Sequence, residues 1–272
     1  MTDGTGRSRG WSPLIKGSVG LHAGALLGAA LQPQSWPLAL GLVAANHAVL
    51  TAAGLWPRSR LLGPNLTRLA ATSAARREIA ITIDDGPDPE VTPRVLEILD
   101  RFGASATFFC IGERVSRHAG ICREIIDAGH AIENHSQHHR HNFSLLGPDG
   151  FFREIEAGQA AIAAATGRMP QFFRAPAGLR NPFLDPVLDR LDLQLASWTR
   201  RGFDTRTGNP GKVAVRLVRN LAAGDILLLH DGHCARTRTG DAVVLEALPP
   251  VLERIRQAGL RPVTLRAAME PE

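Results

Sequence analysis

The residues best able to do chemistry in this 272-residue chain fall at five places, and each follows an apolar run. Asp84 and Asp85 follow "ITI", His135 closes "HAIENH" with His139 four residues on, Arg174 follows "QFF", Asp204 lies beyond "LASW", and His230-Asp231 follows "ILLL". Adjacent carboxylates repel one another, and neither is at ease beside an apolar core. Strand alternation sends the two to opposite sides, which suggests two separate tasks. Histidines at i and i+4 can bring both imidazoles to one face of a helical turn or tight loop, a metal-ligand spacing. Two imidazoles and one carboxylate form a facial set that leaves positions open for water and substrate. On this reading one of Asp84 and Asp85 binds a cation, which relieves their repulsion, and the other stays free as a base. His138 and His141 are out of register with His135 and are expected in solvent or behind the ligands.

Groups this far apart in sequence converge only on a framework. From about residue 76 short apolar runs recur: "EIAITI", "ATFFCI", "HAIENH", "QFFRA", "LQLASW", "DILLLH" and "RPVTL". Helix-like stretches separate them at 91–102, 114–128, 151–166, 183–190, 211–223 and 241–258. In "TPRVLEILDRFG" Thr92 reads as the N-cap, Pro93 as the first turn and Gly103 as the stop. Strand–helix alternation predicts an α/β fold with a parallel sheet, and about seven strands suit a small or incomplete barrel. Active sites of such folds lie at the C-terminal ends of the strands, where all five polar endings fall.

Residues 17–56 have a different character. Two runs without charge, "GSVGLHAGALLGAAL" and "PLALGLVAANHAVLTAAGLW", flank "QPQSWP". The second is about long enough to cross a bilayer, and Trp36 and Trp56 bracket it as interfacial anchors do. The alternative is a soluble apolar hairpin docked on the domain. Arg7, Arg9 and Lys16 precede the first run, and Arg58, Arg60 and Arg68 follow the second. A double span would leave the rest of the chain in the cytoplasm, and a single span would place it outside. Two units are expected, residues 1–72 and 73–272. The net charge of +5 rests almost wholly on scattered arginines, with Lys16 and Lys212 the only lysines. Nothing interleaves them with aromatic residues as a single-strand reader would, so no nucleic-acid partner is expected. Cys110, Cys122 and Cys234 match no metal-finger spacing and read as apolar fillers.

The motifs "ITIDDGP", "HSQHH", "RAPAG" and "LLLHD" resemble, in order and spacing, those of the polysaccharide deacetylases, the NodB homology domain of carbohydrate esterase family 4. The resemblance covers about residues 76–268 and implies a distorted (β/α) barrel. It implies Asp84 as general base, and Asp85, His135 and His139 as ligands of a divalent metal, zinc first, with cobalt, nickel or iron fitting the same set. It further implies that Arg174 orients the base, that the loop at Ala177 gives a backbone N–H to the oxyanion, and that His230 is the general acid. Leu228 would line the acyl pocket, and Asp204 matches the aspartate that tunes His230. One departure stands out: the family usually carries an aromatic residue where this chain has Ala177, and the chain has no tyrosine at all. That change puts polymer specificity in question rather than the reaction.

The implied activity is metal-dependent removal of N-acetyl groups from an amino-sugar polymer or oligomer of N-acetylglucosamine type. Its expected setting is a bacterial inner membrane or cell envelope, with membrane attachment through residues 17–56. The alternatives are a deformylase or deacetylase of a lipid-linked amino sugar, and a catalytically silent sugar-binding protein of the same fold.

Overall fold

A computed structural model describes residues 10–270. Two long helices come first, α1 (Pro13–Leu31) and α2 (Trp36–Leu55), then a short α3 (Ala71–Ala75). The alternating region follows as β1 (Glu78–Asp84), α4 (Thr92–Arg101), β2 (Thr107–Cys110), α5 (Gly112–Arg117), α6 (Ala119–Asp127) and β3 (Ala131–Asn134). It continues as α7 (Pro148–Thr166), β4 (Phe172–Phe173), α8 (Leu184–Arg190), β5 (Gln194–Leu195) and β6 (Arg200–Arg201). The last elements are α9 (Pro210–Val218), β7 (Ile226–His230), α10 (Val243–Gln257), β8 (Arg261–Val263) and α11 (Leu265–Met269).

All strands are parallel, in the order β5-β4-β3-β2-β1-β7-β6, with β8 also on β1. The seven predicted strands are present, and β6 is an eighth. The two edges, β5 and β6, are joined by the chain itself through residues 196–199, so the sheet curls into a distorted barrel. Leu66 bridges to Ala196 across this seam, donating its N–H to Leu195 and accepting that of Ser197. Leu66 and Leu69 pack with Trp198 and Phe109.

Alternation along β1 explains how one strand serves two layers. Ile79, Ile81 and Ile83 belong to the core shared with α4, α9 and α10, including Val95, Leu99, Val213, Val251 and Leu252. Ala80 packs with Phe109 and Leu228 in the second core, and Thr82 and Asp84 share its side of the strand.

Four local expectations are corrected. Thr92 does not cap α4: Val91 holds the cap position, and the hydroxyl of Thr92 accepts from the Asp88 N–H and donates to Asp231 Oδ2. The Asp88 carboxylate instead accepts from the Glu90 and Val91 N–H groups. The stretch 114–128 is two helices, α5 and α6, meeting at His118, and α9 stops at Val218, five residues short of the expected end. Asp84 and Asp85 do not diverge either. Asp85 has left the strand with φ +75°, and both carboxylates face the same mouth of the barrel.

Helices α1 and α2 are long and apolar enough to cross a membrane, and only 6% and 11% of their most apolar windows are buried. A polar seam runs between them: Asn46 donates to the Ser18 hydroxyl (2.7 Å), His22 Nδ1 donates to the Ser18 carbonyl (2.7 Å), and His22 and His47 meet at 3.2 Å.

Candidate active site

The cleft at the C-terminal mouth of the strands has a volume of about 640 Å³ and gathers Asp84, Asp85, His135, His139, Ala177, Leu228 and His230. Asp84 sits at the end of β1, in register with His230 at the end of β7. His135 follows β3 and Arg174 follows β4, so each side chain takes its position from a strand terminus. Between His135 and His139 the chain makes a loop, not a helix, with Ser136 and His139 both at positive φ. The Ser136 hydroxyl accepts the His139 N–H (3.0 Å) and holds that loop closed.

Asp85, His135 and His139 present ligand atoms all within 4.8 Å of one another. The Nε2 atoms of both histidines lie 3.2 Å from Asp85 Oδ1, yet that buried oxygen has no hydrogen-bond partner. His135 donates Nδ1–H to the Arg174 carbonyl (2.8 Å), which leaves the Nε2 lone pair facing the cleft. Burial, reinforced by the neighbouring His135, pushes the His139 imidazole down to about 4, so it is neutral. Burial also opposes ionisation of Asp85, but the imidazoles of His135 and His233 outweigh it and hold the carboxyl well below its usual range. An orphaned carboxylate oxygen between two imidazole nitrogens fits a divalent cation.

Asp84 is held from behind. The fully buried Arg174 donates Nη1–H to Asp84 Oδ1 (2.6 Å) and to the Thr82 hydroxyl (2.8 Å). Its Nη2 and Nε donate to the Ser197 and Ala196 carbonyls, and its guanidinium stacks 4.0 Å from the Phe109 ring. Every nitrogen of the guanidinium is engaged, which lets a charge lie inside the barrel. Asp84 Oδ2 remains, 3.9 Å from His135 Nε2.

His230 faces this pair from β7. Asp204 accepts both its backbone N–H (2.7 Å) and its Nδ1–H (2.9 Å). Burial disfavours the charged imidazole, but the Asp204 hydrogen bond and charge, with Asp84 and Asp85 beyond, raise its pKa to about 9. Asp231 plays no part in this pair. It turns away to Thr92 (2.5 Å) and the Gly232 N–H, and burial pushes it up to about 7. Ala177 lies on the opposite wall with φ +55°. The Gly178 and Leu179 N–H groups bond to the Ala175 and Pro176 carbonyls, whereas the Ala177 N–H has no such partner. Leu228 is buried and lines the cleft floor. His138 is taken up by Glu154 (2.9 Å), and His141 is exposed.

Two cleft residues escaped the sequence reading. His233 donates Nδ1–H to Asp85 Oδ2 (3.3 Å) while Arg114 donates to its Nε2 (3.1 Å). A second histidine three residues past His230 was the available signal. Arg201 lines the wall beside Trp198, and no motif marked it.

The polysaccharide deacetylase family pattern matches residues 71–196. A peptidoglycan-N-acetylglucosamine deacetylase of Bacillus cereus is 34% identical over 69% of this chain and 85% of its own length. A chitooligosaccharide deacetylase of Azorhizobium caulinodans is 32% identical over 71% and 95% respectively. Among solved structures, a family 4 acetyl xylan esterase from Clostridium thermocellum in complex with a cobalt ion shares the fold with a TM-score of 0.63, at 30% identity over 70% of this chain and 89% of that one. With motifs, barrel and relatives in agreement, the chain belongs to the polysaccharide deacetylase family.

Proposed function

We propose that this chain is a divalent-metal-dependent hydrolase that removes N-acetyl groups from an amino sugar of N-acetylglucosamine type. The reading rests on one observation: a three-donor cation site on one side of Asp84 and a charged imidazole on the other. Asp85, His135 and His139 would hold the ion, and a divalent cation there would supply Lewis acidity, polarising an acyl oxygen and bringing the pKa of a water down to about 7. Zinc is expected, and cobalt, nickel or iron suits the same donors.

The chain's own groups supply the rest. Asp84 Oδ2 takes the proton of the attacking water, while Arg174 fixes Oδ1 and orients the carboxylate. The Ala177 N–H faces the developing oxyanion, a donor of the kind that contributes about 10²–10³ in rate. His230 holds its Nδ1 proton on Asp204 and gives its Nε2 proton to the departing amine, which is otherwise a poor leaving group. Leu228 lies where the acyl methyl packs. The convergence of Asp84, Asp85, His135, His139 and His230 on one cleft favours an active enzyme over a catalytically silent relative.

Residues 73–272 are the catalytic unit in this reading, and residues 1–72 carry a tether to the inner membrane through 17–56, with segment 57–70 packed on the catalytic unit. The test is acetate release from N-acetylglucosamine oligomers by the zinc- or cobalt-loaded protein. Asp84→Asn is expected to lower the rate about 10²–10⁴-fold. If the variant releases acetate at the wild-type rate, Asp84 is not the base. Metal-loaded protein that hydrolyses no N-acyl amino sugar refutes the proposal.

A further inference from the structure

Arg200 and Arg201 are neighbours on β6, and alternation sends them to different sides. Arg200 is fully engaged, with Nε on Asp225 (2.6 Å) and its remaining nitrogens on the Arg219 and Asn220 carbonyls. Arg201 lies on the cleft wall beside Trp198, Thr205, Leu228 and His230. Its guanidinium sits 5.6 Å from the Trp198 ring and 5.1 Å from the Phe203 ring. Its Nε is buried without a hydrogen-bond partner, and no carboxylate among the described residues pairs with it. The other cleft arginines all face acids: Arg114 faces Asp88 (3.9 Å), Arg117 faces Glu113, and Arg140 faces Glu154 (2.7 Å). A half-buried, uncompensated guanidinium stiffened by two aromatic rings is costly unless an anion completes it.

A second, independent observation says where that anion comes from. The end of α2 is fastened to both walls of the cleft. The Gly54 carbonyl accepts the Arg180 N–H (3.2 Å), just after the turn that carries Ala177. The Pro57 carbonyl accepts the Ser197 hydroxyl (2.7 Å), and Arg58 donates to the Thr199 carbonyl (3.3 Å). A Cβ on Gly178 would lie 2.7 Å from Pro57 and 2.6 Å from Trp198, so the three are in direct contact. Meanwhile Leu38, Leu40, Leu42, Val49 and Leu55 on α2, and Trp56 just after it, are exposed. If that apolar surface lies in a bilayer, the cleft opens within a few residues of the headgroups.

We propose that the substrate is membrane-borne: an N-acylated amino sugar joined through a phosphate to a long-chain lipid, with the phosphate held by Arg201. This rests on the deacetylase reading of the same cleft and narrows it. The guanidinium offers a fork of two N–H donors to two phosphate oxygens, while the sugar's acylamino group reaches Asp84 and His230. The loss of an aromatic wall at Ala177 accords with a short glycan rather than a stacked polymer.

The test uses the full chain in liposomes, loaded with zinc. Three substrates are compared: a polyprenyl-phosphate-linked N-acetylglucosamine, soluble N-acetylglucosamine 1-phosphate, and an uncharged N-acetylglucosamine oligomer. Acetate release is measured for each, and binding of the lipid-linked sugar is measured separately. Arg201→Gln is expected to raise KM for the lipid-linked substrate roughly ten- to a hundredfold, the usual effect of losing a charged hydrogen bond, and to leave turnover of the uncharged oligomer unchanged. Arg201→Lys should recover part of the loss. Equal effects of Arg201→Gln on all three substrates, or none on any, overturn the assignment. Equal turnover of the soluble sugar phosphate by the wild type overturns the membrane-borne substrate. If the wild type binds the lipid-linked sugar in an Arg201-dependent way but releases no acetate, this inference stands and the deacetylase reading falls. Acetate release from the oligomer without Arg201-dependent binding gives the reverse.

Discussion

A general acid must be charged at working pH, and an ordinary imidazole near 6.5 is mostly neutral at pH 7. His230 meets the requirement through the carboxylates that face it: Asp204 by hydrogen bond, Asp84 and Asp85 across the cleft. Its folded-state value of about 9 lies above the unfolded one, so the stabilisation from this pair is complete below about pH 6.5 and lost as pH rises through about 9. The activity should lose its acid form in the same direction, toward high pH. NMR titration of metal-free protein should find the His230 ring titrating near 9, and a bound cation should lower that value. Asp204→Asn should bring it back toward the ordinary range and move the alkaline limb of activity with it. At the metal site, His139→Ala should weaken zinc and cobalt binding and alter the visible spectrum of the cobalt form, read by titration of the chelator-stripped protein. These residues were legible because motif and spacing named them. His233 and Arg201 were not, since their importance lies in what surrounds them: Asp85 and Arg114 for one, two rings and a missing acid for the other.

Elements that bury one clear face could be read in advance, and short ones could not. β1 alternates without interruption and lies between β2 and β7. Truncating Ile81→Ala in its fully buried face should cost about 2–5 kcal/mol by thermal or denaturant unfolding. By contrast β6 is two arginines long and is a strand only because β7 lies beside it, through Arg200–Leu227 and Arg201–Leu228. Nothing apolar announced it. The divergence expected of Asp84 and Asp85 failed for a related reason: alternation holds only within a strand, and the chain turns left-handed at Asp85. Of the nine non-glycine residues at positive φ among the described residues, four, Asp85, His139, Ala177 and His233, line the cleft. Gly178 is also at positive φ, against Pro57 and Trp198. Gly178→Ala should therefore destabilise the fold by roughly 1–3 kcal/mol and depress activity, since the turn it disturbs carries Ala177.

At the scale of the whole molecule, a barrel with a preorganised cleft is fused to an apolar hairpin with almost no buried surface of its own. Expressed intact, the protein should partition with membranes and resist extraction by salt or alkali. Charged substitutions on the exposed face of α2, such as Leu40→Asp, should release it into the soluble fraction. The polar seam between α1 and α2 bears on how such a hairpin inserts. Asn46 and His47 on α2 find their partners, Ser18 and His22, only on α1, and a polar group left without a partner in hydrocarbon costs roughly 2–7 kcal/mol. Helices that share such a seam would enter a bilayer together rather than one at a time. For such a double span, Arg7 and Arg9 ahead of the pair and Arg58, Arg60 and Arg68 behind it would favour both flanks on the cytoplasmic side. The cleft would then meet its substrate on the inner leaflet.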